Sequence, residues 1–351
     1  MKKKTFAKVA YQSLKSIFKL TNQCDKFENY LLFEDFCQSV EKTHFNQEGL
    51  SREEKKAFFK KQLKNIEIET HAFCNRTCSF CPNSQINRLN KNQIMPVPVF
   101  NKIISELELI DYRNVLKLHR YNEPLALDII FDRISYARRQ LPHANIGIHS
   151  NGDYVTKEML LRLEEDGLNF LQLSLYIDFN GAKEEQFYRA KEYCEDYLKK
   201  RNLKGQIISA DGRLIRYIIP MQKMYVSMFV ANADVQWVDR GGVVKKYSNQ
   251  DRISPCEGPF NGMFIDWTGD VLPCCNLRGD IALHKEYILG NAAESTLQEI
   301  FYSKIANALR RELIEFKEKT NVCKTCQYGI FHLILMAKLI LNKKLKEIGI
   351  S

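Results

Sequence analysis

Cys74-Asn75-Arg76-Thr77-Cys78-Ser79-Phe80-Cys81 is the stretch that decides how this chain is read. The spacing is C-x3-C-x2-C, with the aromatic Phe80 just before the last cysteine and Pro82 just after it. Three thiolates on one short loop can ligate three irons of a [4Fe–4S] cube and leave the fourth iron without a protein ligand. An open iron on a reducing cluster can chelate a small molecule and pass it an electron. A zinc knuckle is the competing use of such thiols. It needs a fourth Cys or His, and His71 lies three residues upstream.

The chain has 351 residues, 45% hydrophobic and 27% charged. That is room for one large domain and a smaller one, with the composition of a globular protein. Eleven cysteines are an odd count, and most fall in two clusters. Clustered C-x2-C spacing argues for metal before a disulfide framework. Cys24, Cys37 and Cys194 stand apart and read as buried structural thiols. The first 20 residues are basic and amphipathic but lack the continuous apolar core of a secretory signal. No window is apolar for long enough to span a bilayer. Residues 330–341 (IFHLILMAKLIL) read as a docked helix, with peripheral membrane contact left open. The expected location is cytoplasmic, which suits oxygen-sensitive clusters. The net charge of +10 is diffuse, with lysines crowding both ends, and reads as a solvated surface. No aromatic-basic stripe supports a nucleic-acid partner.

A short strand is expected over 66–70, leading into the cysteine loop. Pro98 opens a helix whose apolar positions Phe100, Ile103, Ile104 and Leu107 recur at helical spacing. Further strands are expected over 115–119, 145–149 and 170–176. Helices are expected over 126–140, from a Thr156 cap to Gly167, and over 182–200. This alternation implies parallel βαβ units. The stretch 205–238 is strand-rich, with an Asp211-Gly212 turn.

The cysteine loop and the motifs after it resemble the radical SAM superfamily. Arg120-Tyr121-Asn122-Glu123-Pro124 falls where that family has Gly-Gly-Glu-Pro, with Tyr121 and Asn122 replacing the glycines. The resemblance implies an α/β fold, the partial (β/α)6 barrel, with reactive groups at the C-terminal ends of the strands. It implies S-adenosylmethionine (SAM) on the open iron and a 5′-deoxyadenosyl radical as the reagent. Glu123 would hold the methionyl ammonium, and Phe80 would lie beside the adenine. Ser150-Asn151-Gly152, ending the fourth-strand region, would meet the ribose, and Ser174 could face the cofactor.

A second set comprises Cys256, Cys274, Cys323 and Cys326. Residues 264–273 read as a hairpin with Gly269 at the turn, and Gly269 precedes Cys274 as G-x4-C. Ser295 and Gln298 form a capping-box pattern opening a helix through Leu309. The order C…G-x4-C…C-x2-C resembles the twitch domain, the shortened form of SPASM. That resemblance implies one auxiliary [4Fe–4S] cluster on these four cysteines, with Cys275 spare. No cysteine follows Cys326, so the further cluster of a full SPASM domain is not expected. A four-cysteine structural zinc is the other use of this ligand count. The expected organisation is a helical extension over 1–65, the barrel over 66–245, the twitch domain over 246–328 and an amphipathic helix over 329–351.

Four thiolates saturate a cube, so the second cluster can exchange electrons but not bind substrate. The resemblance to twitch-bearing dehydrogenases of aminocyclitol pathways implies a net two-electron oxidation of a small molecule. A hydrogen atom leaves first, then a proton, and the auxiliary cluster takes the remaining electron. A flavodoxin- or ferredoxin-type donor would reduce the first cluster. Asp239-Arg240-Gly241-Gly242 precedes Cys256, and Arg240 is the expected substrate contact. An Asp239–Arg240 ion pair beside a turn is the plainer reading. The rival functions are a ribosomal-peptide maturase of SPASM type and a non-catalytic iron–sulfur electron carrier. The carrier would not need Glu123 or the Ser150 segment.

Overall fold

The computed structural model describes residues 49–177, 183–210, 214–232, 238–245, 251–253, 255–315 and 317–326. The helices expected before residue 49, Cys24, Cys37, the Asp211-Gly212 turn and the helix over 329–351 lie outside the described residues.

A capping box between Ser51 and Glu54 opens α1 (Arg52–Gln62), which leads into β1 (Asn65–Ile68). Then α2 (Val97–Leu109) begins with Pro98 in its first turn and buries Phe100, Ile103, Ile104 and Leu107, the face its spacing marks. The alternation continues through β2 (Val115–Lys117), α3 (Ile129–Gln140), β3 (Asn145–Ser150), α4 (Lys157–Glu165), β4 (Phe170–Ile177) and α5 (Lys183–Lys200). The Thr156 side chain accepts from the Met159 amide to start α4, and Gly167 at φ +90° turns the chain after it. Strands β1 to β4 lie side by side and parallel. Ser150 therefore ends the third parallel strand and not the fourth, because between β1 and β3 the chain forms only β2.

After α5 the alternation stops. β5 (Gln206–Ala210), β6 (Leu214–Ile219) and β7 (Tyr225–Asn232) form an antiparallel meander whose last strand runs parallel to β4. Further on come α6 (Gly258–Asn261), β8 (Gly262–Ile265), β9 (Asp270–Leu272) and β10 (Gly290–Asn291). The β8–β9 hairpin turns at Gly269, which has φ +93°. β8 is buried along its whole length and lies parallel beside β1, as suits a strand covered on both faces. The sheet order is β10-β9-β8-β1-β2-β3-β4-β7-β6-β5. Its parallel run, β8 to β7, thus takes one strand from beyond residue 246, and both cysteine regions hang on one sheet.

The helix expected to open at Ser295 differs in detail. The capping box is formed one residue later, by Thr296 and Glu299, and opens the short α7 (Leu297–Phe301). Ser303 then caps a separate α8 (Lys304–Ile314) by accepting from the Ala306 amide. An extended Ser303 between two helical segments breaks what periodicity alone reads as one helix.

A buried polar circuit joins the two cysteine regions. Arg88 pairs with Glu69 and reaches Asp280 at 3.3 Å, with its guanidinium 4.5 Å from the Trp267 ring centre. Arg278 donates to Asp280 at 2.6 Å and to Asn83 Oδ1 at 2.8 Å. Asn83 donates to the Tyr121 carbonyl at 3.0 Å, and the Tyr121 amide donates back to Glu69 at 2.8 Å. Burial alone would raise the Asp280 pKa, but the Arg278 hydrogen bond and the charges of Arg88 and Arg278 bring it down to about 2. Removing Arg88 leaves the buried Glu69 carboxylate without its cation. Arg88→Met is expected to lower unfolding free energy by about 3–5 kcal/mol in anaerobic urea titrations. A loss below about 1 kcal/mol, the worth of a surface pair, would show that the circuit is not what joins the regions.

Candidate active site

The cysteine loop begins where β1 ends. The Cys81 amide donates to the Cys78 carbonyl at 2.9 Å, and Ser84 Oγ donates to the Cys81 carbonyl at 2.8 Å. These bonds fold the loop tightly against a single 3-10 turn over Pro82–Ser84. Cys74, Cys78 and Cys81 line a cleft of about 360 Å³ at the C-terminal ends of the parallel strands. Phe80, Glu123, Ser150, Asn151, Ser174 and Arg240 line the same cleft, so the residues expected for the first site meet in one place.

Burial pushes the Cys74 thiol up to about 12 and that of Cys78 to about 11. Such thiols ionise when a metal centre supplies the positive charge. His71, the fourth donor a zinc knuckle would need, sits with Nε2 3.3 Å from Asn122 Nδ2 and does not line the cleft. Among the described residues no three His, Cys, Asp or Glu side chains converge on a position for a single metal ion. Three desolvated thiols on one loop fit a cube that keeps one iron open.

Glu123, almost wholly buried, accepts from Ser150 Oγ at 2.7 Å, the Asn151 amide at 2.7 Å and the Leu125 amide at 3.1 Å. Burial outweighs these donors and raises its pKa to about 7. A buried carboxylate at the wall of a cleft is a site for a cation such as an ammonium. The Ser150 hydroxyl is thus turned to Glu123. Asn151 donates through Nδ2 to Asn75 Oδ1 at 2.8 Å, and Asn75 and Arg76 both bond Asp153. In this arrangement both residues brace the carboxylate and the cysteine loop. Nothing in the sequence ties residues 75 and 76 to residue 153, and only the folded chain brings Asn75, Arg76 and Asp153 together. Phe80 packs on Tyr176 with ring centres 4.5 Å apart, beside Val244. Tyr121, in the place of a glycine, donates its hydroxyl to the Cys275 carbonyl at 2.7 Å.

Cys256, Cys274, Cys323 and Cys326 line a second, small cavity together with Arg252 and Asn276. Arg252 Nη1 and Asn276 Nδ2 each lie 4.0 Å from Cys326 Sγ, and the Asn276 amide lies 3.3 Å from Cys274 Sγ. Donors to sulfur of this kind tune a cluster's potential. Cys275 lines the cleft instead. Between the two cavities runs a left-handed turn, with φ +53° at Arg240, +66° at Gly241 and +81° at Gly242. A Cβ at Gly241 would come within 2.7 Å of His284 Nε2, so glycine is required there on two counts. Arg240 Nη1 donates to Asn276 Oδ1 at 2.9 Å, while Asp239 accepts from Thr325 and from the Gly241 amide.

Comparison with known proteins gives two matching family models. A model of the radical SAM superfamily matches residues 68–206, and an iron–sulfur cluster-binding domain model, SPASM, matches 256–327. The S-adenosyl-L-methionine-dependent 2-deoxy-scyllo-inosamine dehydrogenase of Niallia circulans is 25% identical over 263 residues, covering 74% of this chain and 91% of that protein. The crystal structure of BtrN in complex with AdoMet and 2-DOIA superposes with TM-score 0.55 at 21% identity, over 76% of this chain and 93% of that one. The open conformation of BtrN gives TM-score 0.50 at 21% identity, over 76% and 92%. At that identity the likeness is one of fold.

A ligand ammonium pairs with the ionised form of Glu123. SAM affinity is therefore expected to weaken as pH falls through about 7, by about tenfold between pH 8 and pH 6. Glu123→Gln should bind weakly at every pH and with a flat profile. Calorimetry on anaerobically reconstituted protein checks both. A wild-type affinity independent of pH would remove Glu123 from the ammonium site.

Proposed function

We propose, for a chain that belongs to the radical SAM superfamily and carries a SPASM-type iron–sulfur domain, a dehydrogenase-type oxidation of a hydroxyl-bearing small molecule. Its cofactors are SAM and two [4Fe–4S] clusters. One observation carries the reading. Cys274 and Cys275 are neighbours in sequence, yet Cys274 lines the four-thiol cavity and Cys275 lines the cleft. A single peptide link then separates the radical site from a saturated electron acceptor. The Niallia circulans relative, named for dehydrogenating 2-deoxy-scyllo-inosamine, supports a small alcohol as substrate. When bound, the cofactors supply a radical that removes the hydrogen atom from an alcohol carbon and a cluster that takes the remaining electron, so that loss of the hydroxyl proton to water leaves a ketone.

The chain's own residues divide the work. Cys74, Cys78 and Cys81 would hold the first cluster, and Cys256, Cys274, Cys323 and Cys326 the second. Glu123, braced by Ser150 and Asn151, would orient SAM through its ammonium. Phe80 and Tyr176 would wall the adenine. Burial tends to lower the Arg240 pKa, but the neighbouring Tyr121, Cys81 and Cys275 raise it above the ordinary value. Arg240 therefore stays a cation that stabilises negative charge on the substrate oxygen and does not act as the base. Thr77 and Ser79 are exposed on the loop, which leaves the first cluster open to a flavodoxin- or ferredoxin-type donor.

Wild-type protein reconstituted anaerobically should hold about twice the iron of a Cys74→Ala, Cys78→Ala, Cys81→Ala variant, with only the wild-type EPR signal answering to SAM. A variant that loses all its iron, or retains zinc, would sink the two-cluster oxidation. Arg240→Ala should still release 5′-deoxyadenosine but form ketone about 100-fold more slowly across a panel of polyols. Undiminished ketone formation would reduce Arg240 to a turn residue.

A further inference from the structure

Arg120 is the cation of the cleft that the oxidation above leaves unused. It stands just past β2 and lines the cleft. Nη2 donates to the Leu277 carbonyl at 2.6 Å, which pins the guanidinium. Its central carbon lies 5.8 Å from the Tyr121 ring centre and 5.9 Å from that of Phe264. Nε and Nη1 are buried and have no hydrogen-bond partner.

Two other cations of the cleft have acidic partners. Arg76 pairs with Asp153, and Lys117 pairs with Glu67 at 3.0 Å. Among the described residues no ion pair includes Arg120. Asp266 feels its charge, but that carboxylate already accepts from the amides of Thr268 and Asp270 at 3.0 and 3.2 Å. Burial raises the Asp266 pKa to about 6 while the charge of Arg120 draws it down, yet no hydrogen bond joins the two side chains among the described residues. A pinned guanidinium with buried, open N–H groups is costly unless an acceptor arrives. The acceptor that suits it best is an oxyanion, through charge-assisted hydrogen bonds.

We propose that Arg120 anchors an anionic oxygen group of the substrate, a phosphate or a carboxylate, so that the enzyme oxidises a hydroxylated small molecule bearing such a group. Calling this ligand the substrate rests on the dehydrogenase reading. The anchor sits against the loop of Cys274 and Cys275 through Leu277. A substrate held there lies on the side of the cleft that faces the second cavity.

The test titrates inorganic phosphate, and separately acetate, into SAM-loaded reconstituted protein by calorimetry in an anion-poor buffer. Wild type, Arg120→Met and Arg120→Lys are compared, with iron content checking that each variant is assembled. One anion per chain is expected in wild type, bound about tenfold or more weakly by Arg120→Met and partly restored in Arg120→Lys. Tighter phosphate than acetate points to a phosphate ester, and the reverse to a carboxylate. Equal anion binding by wild type and Arg120→Met, or none by either, overturns the proposal. So does a fall in SAM affinity with anion binding intact, which would assign Arg120 to the carboxylate of SAM. The titration needs no turnover. Absence of ketone from every alcohol would therefore sink the dehydrogenase reading and leave the anion site standing, and the reverse also holds.

Discussion

Two buried arginines fix the relation between the two thiol sets. Arg88 and Arg278 are almost wholly enclosed, and a buried guanidinium is tolerated only with its charge compensated. Their acceptors come from distant parts of the chain: Glu69 just past β1, Asn83 just past the cysteine loop, and Asp280 beyond Cys274. The circuit closes through both backbone groups of Tyr121. No member can move alone without stranding a buried charge. The loop carrying Cys81 and the loop carrying Cys274 are thus held to one geometry, and the peptide between Cys274 and Cys275 faces both cavities because of it.

The same demand explains the turn at residues 240–242. A chain that must place one side chain in the cleft and the next backbone unit against the second cavity has little room to turn. Gly241 lines the second cavity and Arg240 the cleft. Successive left-handed residues make that reversal, and a non-glycine there costs about 1–2 kcal/mol. Arg240 bears that cost, which fits a side chain placed for chemistry. His284, buried with Nε2 3.0 Å from the Gly241 carbonyl and Nδ1 accepting from the Arg278 amide, ties the turn to the arginine circuit.

What could be read from the sequence was local. The C-x3-C-x2-C loop, the buried face of α2, the Thr156 cap and the Gly269 hairpin each depend on residues a few positions apart. The circuit does not: Arg88 and Glu69 are 19 residues apart, Arg278 and Asn83 195. Nothing in a single sequence pairs them. Ser295-x2-Gln298 and Thr296-x2-Glu299 satisfy the same capping pattern, and the fold takes the one whose N3 residue is a carboxylate, the stronger acceptor for the cap amide. The hairpin over residues 264–273 is legible in the sequence, but not that its first strand pairs with β1. At the start of that pairing the Asn261 carbonyl, at the end of α6, accepts from the Lys64 amide at 2.8 Å. The replaced glycines, Tyr121 and Asn122, were visible as a departure from the family pattern. Their use, with Tyr121 reaching Cys275, follows only from the folded chain.

The cleft carries both paired and open polar groups. Glu123, raised to about 7, is only partly ionised near neutrality, while the fixed pairs Arg76–Asp153 and Lys117–Glu67 cancel each other's charge. What remains open is complementary to incoming groups: a carboxylate that gains by meeting an ammonium, thiols that gain by meeting iron, and an arginine with open donors. Each ligand that enters stabilises the charged form of the group it meets and lowers the local dielectric for the next. A cleft arranged this way reaches its full electrostatic strength only when all its ligands are present.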